Sequence, residues 1–134
     1  MNHEGTKDTK EKSNLISHEI IGAAIEVHQI FGPGLLESIY EEALCYEFSE
    51  RNIAFERQKA LSVNYKNTKL NGNYRLDILV EELVIIELKA IKQMEPLFEA
   101  QLLTYLKLSG LWLGMLLNFN VPVMKNGIRR IVNG

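Results

Sequence analysis

Leu111–Phe119, reading Leu-Trp-Leu-Gly-Met-Leu-Leu-Asn-Phe, is apolar at nearly every position and lies between turn signals. A strand with one wet face would alternate, so an apolar run of this length without alternation is a strand buried on both faces. Such a strand demands a sheet with helices packed against each side, and the flanking segments supply both layers. Pro96 can open a helix at its first turn, and Leu97, Leu102 (or Ala100), Leu103, Leu106 and Leu108 keep it apolar until Gly110 stops it. Tyr74–Val80 and Leu83–Lys89 read as strands joined by a short link at Glu81-Glu82, and Ile53–Tyr65 as another, with Leu61, Val63 and Tyr65 alternating. Asn67–Asn73, containing Asn71-Gly72, is a turn signal, and Gly127–Val132 a last edge strand.

The N-terminal part is helical. Ile16, Ile20, Ala23, Ala24, Val27, Ile30 and Phe31 recur at spacings of three and four, with Ser17 as a candidate N-cap. Gly32-Pro33-Gly34 breaks that helix, and Leu35 opens a second one carrying Leu36, Ile39, Tyr40, Ala43, Leu44 and Phe48 on one side. Residues 1–13 are polar without periodicity and read as a frayed, disordered tail, leaving 14–134 as a single domain. The predicted order is α-α-β-β-β-α-β-β, and the fold class is α/β, a three-layer α-β-α arrangement around a mixed sheet.

Composition narrows the function classes. The 134 residues suit one domain, and an apolar share of 46% supports an ordinary core. A net charge of −2 argues against a histone-like binder, so contact with phosphate must come from a local basic patch or a bound cation. The lone Cys45 has no internal partner and suits a reducing compartment. With no apolar leader and no membrane-length apolar run, a cytoplasmic location is the expectation.

Chemistry concentrates in Arg75-Leu76-Asp77-Ile78-Leu79-Val80 and Ile85-Ile86-Glu87-Leu88-Lys89. Alternation puts Glu87 and Lys89 on one face of their strand and Ile86 and Leu88 on the other. Carboxylates set among Ile, Leu and Val are costly to bury unless paired or bound to a cation. Asp77 and Glu87 converging on one point would make a hard-oxygen site for Mg2+ or Mn2+, with Lys89 placed to polarise a water or offset charge on a phosphate. Register decides whether they converge. A two-residue link at Glu81-Glu82 would pair Asp77 with Ile86 and turn it away from Glu87, whereas a three-residue link or a bulge would pair Asp77 with Glu87.

Asp77 followed by Glu87-Leu88-Lys89 resembles the D…(D/E)-x-K signature of the PD-(D/E)XK nuclease superfamily, whose fold is restriction-endonuclease-like. Gly34-Leu35-Leu36-Glu37-Ser38-Ile39-Tyr40 is similar to the motif of the small bacterial GxxExxY proteins, assigned to the same superfamily. The resemblance runs from about Leu15 to Ile131, and departs from the pattern where Leu76 stands in place of the nominal proline. It implies a nuclease in which Asp77, Glu87, the carbonyl of Leu88 and, from the helical layer, Glu37 ligate Mg2+ or Mn2+, while Lys89 positions the attacking water. It also implies that Gln101 and Tyr105, four apart on a helix, line the active site. The implied partner is nucleic acid, with DNA ahead of RNA.

Competing readings use the same residues. Asp77 or Glu87 could form a salt bridge with Arg75 or Lys89 across a hairpin. Glu37 could be a first-turn acid favoured by the helix dipole. Tyr40 and Tyr105 could be packing residues with a polar tip, and Gln101 a hydrogen-bonding residue of the helical layer. His18 and His28 have no second ligand at metal spacing and read as structural or surface groups. Gly32-Pro33-Gly34 lacks the lysine and hydroxyl of a phosphate loop. Beside the nuclease stand a catalytically inactive nucleic-acid-binding relative and a protein-interaction module, such as a homodimer through Leu111–Phe119 or the helical layer.

Overall fold

The computed structural model describes residues 6–72 and 74–134. Helix α1 spans Lys7–Phe31 and α2 spans Glu37–Glu50; β1 (Phe55–Leu61), β2 (Asn64–Tyr65), β3 (Thr68–Lys69), β4 (Tyr74–Val80) and β5 (Val84–Lys89) follow. Helix α3 (Pro96–Ser109), β6 (Leu113–Asn118), a 3-10 turn at Met124–Gly127 and β7 (Ile128–Val132) complete the chain. The main sheet has the order β1-β4-β5-β6-β7, antiparallel throughout except for the parallel pair β5/β6. Helix α3 is the crossover that a parallel neighbour requires. The strands and helices of this framework follow the order read from the sequence, and β2/β3 add a small separate hairpin.

Two cores hold the layers. Ile20, Ala24, Val27, Tyr40, Leu44 and Phe48 from α1 and α2 meet Ile78, Val80, Ile86, Leu88, Met115 and Leu117 on one side of the sheet. Leu102, Tyr105 and Leu106 of α3 meet Leu76, Leu79, Ile85 and Leu116 on the other. The mixed sheet between two helical layers is restriction-endonuclease-like. Every residue of β6 is buried, as the unalternating run demands. β5 and β7 flank β6, so Leu113–Asn118 is covered on both edges, and of the apolar run Leu111–Phe119 only Leu111 and Trp112 reach the surface in part.

Several boundaries differ from the sequence reading. Helix α1 starts at Lys7, capped by the Thr6 side chain on the Thr9 N–H, so Lys7–Ser13 belong to a helix and not to a tail; the expected tail's Met1–Gly5 lie outside the described residues. Polar residues can extend a helix whose later turns are already anchored, which a search for apolar periodicity misses. Ser17 is no cap, since its hydroxyl donates within the helix to the Asn14 carbonyl. Ile30, Phe31, Leu36, Leu97 and Leu108 remain exposed although they continue the apolar stripes. The expected long strand from Ile53 ends at Leu61, and the turn of the small hairpin falls at Lys66-Asn67, both at positive φ, ahead of Asn71-Gly72. Asn73, the last residue of the expected turn, lies outside the described residues.

Candidate active site

The link between β4 and β5 sets the register. Glu81 and Glu82 both take left-handed backbone, at φ 52° and 57°, and the Leu83 N–H donates to the Val80 carbonyl at 2.9 Å. This is a tight turn of the kind favoured in hairpins, with both central residues at positive φ. Leu83 is the extra residue before Val84 pairs with Val80, so the link is three residues long. Two non-glycine residues at positive φ carry a local cost of about 1 kcal/mol or more each. Anchoring to the residue preceding β1 offsets it: the Glu81 N–H donates to the Ala54 carbonyl at 2.9 Å, and the Ala54 N–H donates to Glu81 Oε2 at 2.6 Å.

The ladder then runs Val80↔Val84, Leu79↔Ile85 and Ile78↔Ile86, and the next rung falls at Asp77 and Glu87. Here side chains replace the backbone bonds. The Asp77 N–H donates to Glu87 Oε2 at 2.8 Å, and the Leu88 N–H donates to Asp77 Oδ2 at 2.8 Å. Each carboxylate is thereby oriented through one oxygen, and the strands part around the pair. On its other side, Asp77 stands opposite Gln58, the one position of β1 that drops out of the β1/β4 register. Gln58 has φ 50°, its amide hydrogen-bonds Asp77, and its Nε2 donates to Glu41 Oε1 at 3.0 Å.

Both acids resist ionisation. Burial, then the neighbouring Asp77 charge, pushes the Glu87 pKa up to about 8, against the lowering effect of the Asp77 N–H and the Lys89 ammonium. Burial also raises Asp77, with Glu41 adding to it, while the Leu88 N–H, Lys89 and Gln58 pull the other way. Glu37, at the start of α2, is raised first by burial and next by Asp77. From the opposite layer, the Tyr105 hydroxyl is raised by burial and then by the charge on Glu87. Two half-buried carboxylates that both lose stability on ionising form a region where a cation would be welcome.

Lys89 Nζ lies 4.4 Å from the centre of the Phe98 ring, on the α3 side. Arg75 turns away, donating to the Gln58 carbonyl at 3.1 Å. Among the described residues neither Asp77 nor Glu87 forms an ion pair within 4.0 Å, so the cross-hairpin salt bridge is not the arrangement adopted. The structure therefore brings together Asp77, Glu87, Lys89 and Tyr105, with the Leu88 N–H on Asp77. Gln101 is exposed one turn before Tyr105 on α3. Glu37 shares the electrostatic field of Asp77. Among the described residues, however, no three His, Cys, Asp or Glu side chains gather closely enough to hold a metal by themselves. Two carboxylates suffice for Mg2+, which keeps several waters and commonly adds substrate phosphate, so the hard oxygens of Asp77 and Glu87 fit such an ion.

Sequence reasoning missed Glu41 and Gln58. Glu41 is buried, held by Arg57 Nε at 3.0 Å and by Gln58. Its signal was present, since it stands four residues after Glu37 on the same helical face. Gln58 carried none, because a break at one position of a polar strand leaves the side-chain pattern unmarked. Asn118, also missed, is buried and braces the segment after β5: its Oδ1 accepts from Ile91 N and its Nδ2 donates to Ile91 O, both at 3.1 Å.

The remaining candidates are structural. Tyr40 donates to the Gly32 carbonyl at 2.6 Å, accepts from the Leu35 N–H at 3.1 Å and stacks on Phe119, so it clamps the Gly32-Pro33-Gly34 turn. His28 is buried with Nε2 2.7 Å from the Val121 carbonyl, and His18 is exposed. Burial pushes the Cys45 thiol up to about 12, which keeps it protonated and unreactive. Among the described residues no helix is long and apolar enough to cross a membrane.

A search of curated proteins and a search of solved structures each return no significant match. A family profile described as the PD-(D/E)XK nuclease superfamily matches residues 14–131, from within α1 to the penultimate residue of β7, and so takes in α2, β4, β5 and α3, which carry the site. The split between β4 and β5, with its acid pair and following lysine, lies inside that match, and the chain belongs to the PD-(D/E)XK nuclease superfamily.

Proposed function

We propose that this chain is a metal-dependent nuclease that hydrolyses phosphodiester bonds, with Asp77, Glu87 and the Leu88 carbonyl holding Mg2+ or Mn2+ and Glu37 lending charge from the helical layer. The observation that carries this reading is the reciprocal carboxylate-to-backbone bonding of Asp77 and Glu87, which presents both acids at one parting of the sheet. The bound cation would supply Lewis-acid polarisation of the phosphoryl oxygen and lower the pKa of a water. Lys89 then orients that water or stabilises charge gathering on the phosphate. Gln58 and Glu41 hold Asp77 in place, and Tyr105 and Gln101 border the substrate path from α3. Within the superfamily, the Gly34…Glu37…Tyr40 string supports placing the chain with the GxxExxY proteins.

The test is cleavage of labelled single- and double-stranded DNA and RNA, with Mg2+ or Mn2+ and with chelator, against Asp77→Asn prepared in parallel. Asparagine at 77 keeps an acceptor for the Leu88 N–H and removes one like charge, so the variant stays folded. Metal-dependent cutting by wild type alone is the expected result. Binding of nucleic acid without cutting under either metal would replace the enzyme with a binding module that keeps the fold.

A further inference from the structure

The basic residues are unevenly spread. Five of the 15 lysines and arginines, and none of the 17 acids, fall between Arg57 and Arg75, so that stretch carries +5 and the rest of the chain −7. Its centre is the β2/β3 hairpin, whose register Asn64↔Lys69 and Tyr65↔Thr68 makes an arm extending from the β1/β4 pair. Arg57 is engaged by Glu41 and Lys59 by Glu56. Among the described residues no acid lies within ion-pair distance of Lys66, Lys69 or Arg75. At the arm's root, Lys69, Tyr74 and Arg75 line one concavity of about 140 Å³. Tyr65 is 59% exposed and Tyr74 46% exposed, and the Lys66 ammonium lies 5.4 Å from the Tyr65 ring centre. Tyr74 in turn meets Tyr105 at 5.9 Å, the residue whose hydroxyl senses Glu87. Three steps of extended strand, about 10 Å, lead from Tyr74 to Asp77.

We propose that the β2/β3 arm is a binding surface for single-stranded nucleic acid, gripping the strand that leads to Asp77 and Glu87; this rests on the nuclease reading above. Cations in a chain otherwise negative mark a polyanion as the partner. Exposed tyrosines interleaved with those cations are the combination that holds unpaired bases by stacking while lysines follow the backbone, whereas a paired duplex hides its base faces. A phosphate seated between Lys69 and Arg75 would place the next nucleotides along Tyr74 toward Tyr105.

Binding is measured by fluorescence anisotropy in chelator, so that no metal-dependent cutting enters, using a labelled oligothymidylate of about 16 nucleotides and a duplex of equal length. Lys66→Ala/Lys69→Ala should raise Kd for the single strand about tenfold and flatten the slope of log K against log salt by about 1.4, two phosphate contacts at roughly 0.7 each. Tyr65→Ala should raise Kd on the order of tenfold for the single strand and leave the duplex unchanged. Lys107→Ala/Lys125→Ala, removing the same charge elsewhere, should bind like wild type. The proposal is overturned if the arm variants bind as wild type does, if the Lys107/Lys125 control loses as much, or if the duplex is preferred and Tyr65→Ala is silent. Loss of cleavage activity with arm-dependent binding intact would instead sink the nuclease reading alone.

Discussion

At the scale of single residues, the site turns on groups whose ordinary chemistry is shifted by their neighbours. Lys89 has its ammonium against the Phe98 face, a contact worth about 0.5–1 kcal/mol, so Lys89→Ala should remain folded. If the nuclease reading holds, metal binding should persist in that variant because both carboxylates stay, while cleavage should fall on the order of 10²-fold, the scale of losing one preorganised electrostatic group. Single-turnover rates alongside metal titration check this; an unchanged rate would remove Lys89 from the chemistry. Glu87 gives a pH signature. Its folded pKa of about 8 lies above the ordinary carboxylate value, so between the two the native state holds a proton that the unfolded chain has released. In chelator, stability therefore declines as pH rises from about 5 through 8, and Asp77 and Glu37, raised in the same direction, add to the decline. Thermal melts across this range should show a steeper fall for wild type than for Glu87→Gln; parallel curves would contradict the shift.

At the scale of elements, the decisive feature is the β4/β5 link. With Leu83 as an extra residue the acids meet; without it Asp77 would oppose Ile86. The frame holding β5 and β6 in place is equally tight. A Cβ on Gly127 would lie 2.0 Å from the Asn118 carbonyl oxygen, a backbone atom that cannot swing aside. Gly127→Ala should thus cost about 3 kcal/mol, at the upper end for overpacking, and lower Tm by roughly 10 °C. A Cβ on Gly114 would meet only the Leu102 side chain, at 2.9 Å, which can shift its rotamer. Gly114→Ala should consequently cost less than Gly127→Ala, and calorimetry on the two variants decides; the reverse ranking would mean that the segment after β6 relaxes freely.

At the scale of the whole molecule, two helical layers press on a sheet that carries a half-buried acid pair, so stability and ligand binding are linked. A cation that binds the folded state and relieves the Asp77–Glu87 repulsion stabilises it by about 2.7 kcal/mol when present at a hundred times its Kd. Mg2+ or Mn2+ should therefore raise Tm by several degrees in wild type and leave Asp77→Asn unmoved. A melting curve indifferent to both ions at millimolar levels would count against a preformed site.

The sequence by itself determined the layer order, because periodicities of 3.6 and 2 and an unalternating apolar run are local consequences of what each element must bury. It also singled out Asp77, Glu87 and Lys89, since charges inside apolar strands need a reason to be there. Only the tertiary structure decided that the acids meet, for that depends on one residue of register in the Glu81–Leu83 link and on paired backbone groups far apart in the chain. Gln58, whose role arises from a break opposite Asp77, was invisible for the same reason. Tyr40 shows the converse: its place in a motif was legible, but its work, closing the Gly32-Pro33-Gly34 turn with two hydrogen bonds, could be read only from where its hydroxyl lands. Side-chain pattern records which face a residue prefers, whereas the pairing of strands decides which residues share it.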